Sequence, residues 1–262
     1  MRKWIRLVIL LAFLCTSACA PKPVPLTVMA AASLTEAFQE LATQFEAQNS
    51  GITVTFNFAG SQQLAQQLAE GAPADVFASA NPKQMETVVD ASRVEAAAIQ
   101  TFAHNWLVVI YPEEYPVGLD GLEDLARPGL KLVMAAKEVP VGEYSLEFLE
   151  KAGQEPALGP SFQQAVLKNI VSYEENVKAV LNKVALGEAD AGIVYTSDVS
   201  GEVAGKIGQI MIPDELNVIA SYPIAVLKDS QHGPQAQAFV DFVLSPTGKG
   251  ILAKYGFMPA QK

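Results

Sequence analysis

The stretch Leu26-Thr27-Val28-Met29-Ala30-Ala31-Ala32-Ser33-Leu34-Thr35-Glu36-Ala37-Phe38 holds two periodicities within thirteen residues. Residues 26–30 form an apolar run that reads as a short strand. Ser33 then stands where a helix N-cap is expected, with Glu36 three residues on at capping-box spacing. Leu34, Phe38, Leu41 and Phe45 mark one face of the helix that follows. A strand that feeds directly into a helix leaves backbone N–H groups without partners, at the positive end of the helix dipole. Ala59-Gly60-Ser61-Gln62, Val139-Pro140-Val141-Gly142 and Glu175-Asn176-Val177-Lys178 stand at comparable junctions, and Gly192-Ile193-Val194-Tyr195 closes another strand. Several such junctions aimed at one point make an anion site without a cationic side chain.

The same alternation runs outward along the chain. Residues 52–58 alternate as a strand. Ser61 opens a helix over 62–70, with Leu64 and Leu68 inward and Gly71 as its stop. Residues 75–79 are a strand, and Asn81-Pro82 caps the next helix with proline in its first turn. A second unit begins near Trp106. It has strands at 107–111, 130–135 and 191–195, a helix at 142–151, and a helix at 174–186 with Val177, Val180, Leu181 and Val184 inward. A strand at 219–227 and helices at 234–244 and 246–255 complete the chain. Strands alternating with helices predict an α/β fold, its sheets mainly parallel and covered on both faces.

Composition narrows the function. The chain has 262 residues, 50% of them hydrophobic, and a formal net charge of −10. Met1-Arg2-Lys3-Trp4-Ile5-Arg6 is a basic leader, and residues 7–14 are an apolar run too short to span a bilayer. Residues 1–18 read as a signal peptide. Thr16-Ser17-Ala18-Cys19 resembles a lipoprotein signal box, with Cys19 as the lipid-bearing residue; ordinary cleavage after Ala18-Cys19-Ala20 is the alternative. Residues 19–25, rich in proline, read as a stiff tether. Export places the protein outside the cytoplasm, either anchored to the membrane or free in the periplasm. Loss of the leader removes Arg2, Lys3 and Arg6 and no acid, leaving 15 basic against 28 acidic side chains, near −13. That balance excludes a nucleic-acid partner and repels anions at long range, so an anion would have to be held by local dipoles. Cys15 and Cys19 are the only cysteines, so the body of the chain has no thiol chemistry.

Catalytic signatures are missing. There is no G-x-S-x-G, P-loop, H-E-x-x-H or G-x-G-x-x-G motif. His104 and His232 are too few and too far apart for a metal site, and both read as turn residues. An exported hydrolase using Ser33 or Ser61 lacks a base, and a ligand-free scaffold lipoprotein is the other alternative. Asp75 reads as a structural cap, and Glu113-Glu114 and Glu174-Glu175 as solvated charges. Taken by themselves, Ser33 and Ser61 are equally simple N-caps, Val141 and Val177 core valines, and Tyr195 a packed strand-end tyrosine.

The segments Ala30-Ala31-Ala32-Ser33-Leu34-Thr35-Glu36-Ala37-Phe38, Glu70-Gly71-Ala72-Pro73-Ala74-Asp75-Val76-Phe77-Ala78-Ser79-Ala80, Gly192-Ile193-Val194-Tyr195-Thr196-Ser197-Asp198 and Lys254-Tyr255-Gly256-Phe257 stand in a definite order and spacing. Together, over residues 26–257, the chain resembles the periplasmic molybdate-binding proteins of ABC transporters. The resemblance implies a type II periplasmic-binding-protein fold of two α/β lobes joined by two crossover strands. Residues 26–105 plus 219–262 would form lobe one, and residues 106–218 lobe two. It implies a site for molybdate or tungstate made by Ser33 and Ser61 from lobe one, the amides of Val141 and Val177, and Tyr195 from lobe two. Gly60 stands where relatives can carry serine. It also implies a monomer that is not an enzyme and has no cofactor. Its metal would arrive only as an oxyanion, for delivery to a membrane permease. Another tetrahedral oxyanion such as sulfate is the alternative ligand.

Overall fold

The computed structural model describes residues 23–114 and 118–260. The expected signal peptide and the expected lipid-anchor residue Cys19 lie outside the described residues. Strands and helices are numbered along the chain. The first unit is built on a sheet of order β11-β4-β10-β3-β1-β2. It comprises β1 (Val24–Ala31), β2 (Ile52–Ala59), β3 (Val76–Ala78), β4 (Gln100–Asn105), β10 (Ala220–Val226) and β11 (Met258–Pro259). Val24 and Pro25, read from the sequence as the end of the tether, begin β1 and pair there with β2; pairing with β3 starts only at Val28. Proline is tolerated at such a strand start because a ladder there needs fewer N–H donors.

β1 is apolar on both faces because helices cover both. On one side Val28 and Ala30 share a core with α1 (Thr35–Gln48) and α7 (Gly233–Leu244). Phe38 packs its ring 5.7 Å from Phe102 and 6.1 Å from Phe239, and Phe45 meets Phe239 edge-on at 5.3 Å. On the other side Met29 packs with Leu64 and Leu68 of α2 (Ser61–Ala69) and Met85 and Val88 of α3 (Pro82–Asp90). Asn81 caps α3, accepting from Gln84 N at 3.0 Å with Pro82 next. α8 (Pro246–Lys254) closes the unit.

The second unit has a sheet of order β7-β6-β8-β5-β9. Its strands are β5 (Leu107–Pro112), β6 (Leu132–Ala135), β7 (Ile170–Glu174), β8 (Ala191–Tyr195) and β9 (Ile207–Met211), flanked by α4 (Pro140–Gln154), α5 (Phe162–Lys168) and α6 (Val177–Ala185). The helix expected from residue 174 starts three residues later. Residues 170–174 are strand, and Asn176 caps α6 by accepting from Ala179 N at 3.0 Å. Glu174 is therefore not a solvated helix-end charge; its carboxylate lies 2.6 Å from Lys183 Nζ.

Both sheets are mixed. The pairs β1/β2, β1/β3, β6/β7 and β6/β8 are parallel. Apart from β4/β11, every antiparallel pair involves β5 or β10. These two strands follow the crossings between units, so they begin at the junction where the parallel strands end.

The crossings are held by two buried asparagines. Asn217 accepts from Leu107 N (3.0 Å) and donates to Leu107 O (2.9 Å), standing in for a neighbouring strand at the first residue of β5. Asn105 Oδ1 accepts from Trp106 N and from Thr196 Oγ1, each at 3.0 Å. Across the cleft, Lys178 of α6 places Nζ 3.0 and 2.9 Å from the two carboxylate oxygens of Glu36 on α1. Lys83 reaches Glu143 at 2.6 Å, and Gln62 Nε2 donates to Glu175 O at 2.8 Å.

Behind Lys178 lies Asp198, buried, with one oxygen 3.4 Å from Nζ and the other accepting from Tyr195 N at 3.1 Å. Burial pushes the Asp198 carboxyl up to about 6, against the pull of Lys178 and the Tyr195 amide. Burial alone would lower the Lys178 ammonium, but Asp198 and Glu36 outweigh it and hold the pKa above the usual lysine value. A carboxyl whose pKa is raised on folding binds protons more readily in the folded state, so its contribution to stability declines as pH rises from about 4 to about 6. Asp198→Asn keeps an acceptor for the Tyr195 amide. Its unfolding free energy relative to wild type is expected to climb across that window and level off above it, read by urea titration at fixed pH values; a pH-independent difference would contradict the raised pKa.

Candidate functional site

The parallel strands of both units end at the junction, and the residues there line one small cavity. Ala31, Ala32 and Ser33 follow β1; Ala59, Gly60 and Ser61 follow β2; Ala80 follows β3. From the second unit come Val139, Pro140 and Val141 after β6, Asn176 and Val177 after β7, and Tyr195 at the end of β8. A crevice outside the carboxyl ends of strands is where α/β sheets take ligands. All five residues nominated from the sequence, Ser33, Ser61, Val141, Val177 and Tyr195, line it, and none of the lining residues is charged.

Each junction supplies donors through its backbone. Ser61 and Val177 are the first residues of α2 and α6, and Val141 is the second of α4. N–H groups at these positions have no acceptor within their helix. Pro140 takes the first position of α4, where a missing N–H costs nothing. Gly142 is required by close approach: a Cβ there would sit 2.1 Å from Ala136 O. Gly60 is constrained in the same way, since a Cβ would stand 2.6 Å from Glu175 O of the opposite unit. Glu175, expected as a solvated charge, thus brings its backbone against α2, and its carboxylate accepts from Gln63 Nε2 at 3.1 Å.

The side chains sort by what they already bond. Ser33 is not an N-cap. It lies inside a 3-10 turn (Ala32–Leu34), α1 begins at Thr35 with no side-chain cap, and Glu36 turns to Lys178 instead of back to the helix start. Ser33 Oγ is buried 3.0 Å from Tyr222 Oη. Ser61 likewise caps nothing; Gly60 is the N-cap of α2, and Ser61 Oγ accepts from Ala80 N at 3.0 Å. That bond uses an acceptor site and leaves the hydroxyl proton to donate. Tyr195 is 1% exposed, and its hydroxyl finds no hydrogen-bond partner in the protein. Burial drives its pKa well above the ordinary tyrosine value, so the phenol stays neutral and remains a donor. A buried donor without a partner carries an unmet desolvation cost.

Other nominated residues lie outside the cavity lining. Asp75 accepts from Thr27 N (2.8 Å) and Ser230 Oγ (2.6 Å), the structural role expected of it. His104 is on β4, not in a turn, 3.1 Å from Ser221 Oγ, and His232 is the N-cap residue of α7. Among the described residues no group of three or more His, Cys, Asp or Glu side chains could hold a metal ion. Among them, too, no helix is long and apolar enough to cross a membrane. Sequence reasoning missed Asn176, whose capping position was readable from its place two residues past an alternating segment. It also missed Tyr222 and Asn105, which carry no local signal.

A family model described as bacterial extracellular solute-binding protein matches residues 26–258. The molybdate-binding protein ModA of Mycobacterium tuberculosis is 40% identical over 232 residues, covering 88% of this chain and 84% of that protein. The molybdate-binding protein ModA of Escherichia coli is 35% identical over 238 residues, 88% of each. The periplasmic molybdate-binding protein of Azotobacter vinelandii shares the fold, with a TM-score of 0.78 at 23% identity over 90% of this chain and 100% of that one. The two-sheet α/β architecture is accordingly that of periplasmic binding proteins. An uncharged cavity lined from two units suits a binding protein. The chain belongs to the bacterial extracellular solute-binding protein family.

Proposed function

We propose that this protein captures molybdate, and tungstate as its close analogue, and hands the ion to the membrane permease of an ABC transporter. Ser33, Ser61, Tyr195 and the amides of Val141 and Val177 are the donors. The observation that carries this reading is the uncharged cavity lined from both units, with the buried Tyr195 hydroxyl left without a partner. Hydrogen bonds to a charged group contribute roughly 1.5–3 kcal/mol each. Several converging on one ion offset its desolvation and the cost of bringing the units together. The two proteins named ModA, at 40% and 35% identity over most of both chains, support molybdate as the ligand. Absence of a carboxylate from the lining disfavours hydrogen phosphate, which needs an acceptor for its proton.

The remaining parts of the reading follow the sequence. Residues 1–18 are a signal peptide of lipoprotein type and Cys19 carries the lipid, which tethers the protein outside the membrane; it works as a monomer. Lobe one is residues 26–105 plus 219–262 and lobe two residues 106–218. They open to admit the ion and close on it, and the Lys178–Glu36 pair bridges the lobes in the closed form.

Thermal unfolding of residues 23–262 against molybdate, tungstate, sulfate and phosphate tests the assignment. At about 100 times Kd a ligand adds about 2.7 kcal/mol, which raises Tm by about 5–11 °C in a chain of this size. That shift is expected with molybdate and tungstate; an equal one with sulfate changes the ligand and keeps the site, and none with any anion removes the assignment. Tyr195→Phe, by calorimetric titration, is expected to weaken molybdate binding about 10- to 150-fold, and unchanged affinity would take Tyr195 out of the site. Glu36→Gln leaves Lys178 paired with Asp198, so the fold should hold while ion release quickens, up to about fivefold. Stopped-flow displacement reads that rate, and an unaltered one would mean the pair has no part in closure.

A further inference from the structure

The two serines of the cavity are oriented by different means. Ser61 Oγ accepts from the Ala80 N–H, a donor that cannot reverse its role, so the Ser61 proton is free for a ligand. Ser33 Oγ faces Tyr222 Oη at 3.0 Å, a contact in which either oxygen could donate. The junction between the units biases the direction. Trp106 N–H donates to Asn105 Oδ1 at 3.0 Å, and a backbone N–H only donates, so the Asn105 amide has one orientation. Its Nδ2 then points to Ser197 Oγ at 2.7 Å and to Tyr222 Oη at 3.4 Å. An Asn Nδ2 cannot accept, so Tyr222 Oη takes the acceptor role there and has its own proton to give to Ser33 Oγ. The Ser33 proton is left to donate into the cavity.

We propose that Asn105 and Tyr222 are positioning residues of the anion site. They form a hydrogen-bond relay from the junction that makes Ser33 a donor and occupies its Oγ as an acceptor. This rests on the reading of the cavity as an oxyanion site. Both residues are fully buried. The Tyr222 ring is gripped by edge contacts to Phe102, Tyr195 and Phe257, with centroids 6.2, 5.9 and 5.4 Å away. A register shift in β10 between Tyr222 and Pro223 re-aims the strand at this point. Burial keeps the phenol protonated, so its proton is always available to Ser33. Asn105 is the last residue of β4, and Ser197 and Thr196, its partners, follow β8 of the other unit. The relay thus ties the direction of a ligand-facing hydroxyl to the contact between the units. A fully deprotonated oxyanion meets donors at both serines, and an oxyanion bearing a proton finds one acceptor site of Ser33 already taken.

The test is a double-mutant cycle in residues 23–262, read by calorimetric titration with molybdate and with inorganic phosphate. Tyr222→Phe keeps the ring and its contacts. It is expected to weaken molybdate binding about five- to tenfold and to narrow the preference for molybdate over phosphate, since Ser33 Oγ is released to accept. In a Ser33→Ala background the same substitution should have no further effect, because Tyr222 acts through Ser33. Wild-type affinity in Tyr222→Phe, or an equal loss in both backgrounds, overturns the relay. Neutron diffraction of the wild-type molybdate complex reads the proton without any variant: density on Tyr222 Oη directed at Ser33 supports the relay, and a proton on Ser33 directed at Tyr222 overturns it. A wild-type chain that binds no oxyanion removes the ligand reading and this inference together, whereas wild-type binding with an indifferent Tyr222→Phe removes the inference alone.

Discussion

An ion with two negative charges, taken out of water, must be met by dipoles or by counter-charges, and this cavity offers only dipoles. That constraint accounts for most of what surrounds it. Helix starts leave backbone N–H groups unpaired, and here the helix starts converge because the parallel strands of both sheets end at the junction. Small residues at those ends, Ala31, Ala59, Gly60 and Ala80, bring backbone close to the cavity. Gly142 lets α4 begin directly against the carbonyls of Ala135 and Ala136. A chain with a large negative excess repels anions at long range, which leaves the attraction to groups a few ångströms away.

Charge is present, but it is kept at the rim. Lys178 follows Val177 on α6, yet its ammonium turns to Glu36 and Asp198 and not into the cavity. Lys83 and Glu143 form a second pair across the cleft. On the proposed reading the separation divides the work: neutral donors would hold the ion, and ionic pairs between the units would favour the closed arrangement around it. A lysine inside the cavity would attract any anion, whereas a set of fixed, neutral donors discriminates by geometry and by whether the ligand brings a proton.

The faces of the helices were legible in the sequence because burial repeats with the helical period. Leu34, Phe38, Leu41 and Phe45 are buried as their spacing requires, and so are Leu64 and Leu68. Capping was less legible. Ser33 and Glu36 have capping-box spacing, but the tertiary structure offers each a better partner, Tyr222 for the serine and Lys178 for the glutamate. Strand β7 went unread, and its last residue, Glu174, passed as the start of a helix, because its half-buried alternation is short and at a sheet edge, where one neighbour and one covered face leave little apolar signal.

Periodicity, turn residues and charge balance therefore determined the α/β class, the strand-to-helix junctions and the condition that any bound anion be held by local dipoles. These are properties of neighbouring residues and survive in one dimension. The tertiary structure alone decided which distant side chains meet. Ser33 and Tyr222 are 189 residues apart, and Lys178 and Glu36 are 142 apart. A directed bond between distant side chains has no period and leaves no local mark. It exists only once two crossing strands and two sheets have placed both ends within about 3 Å of each other.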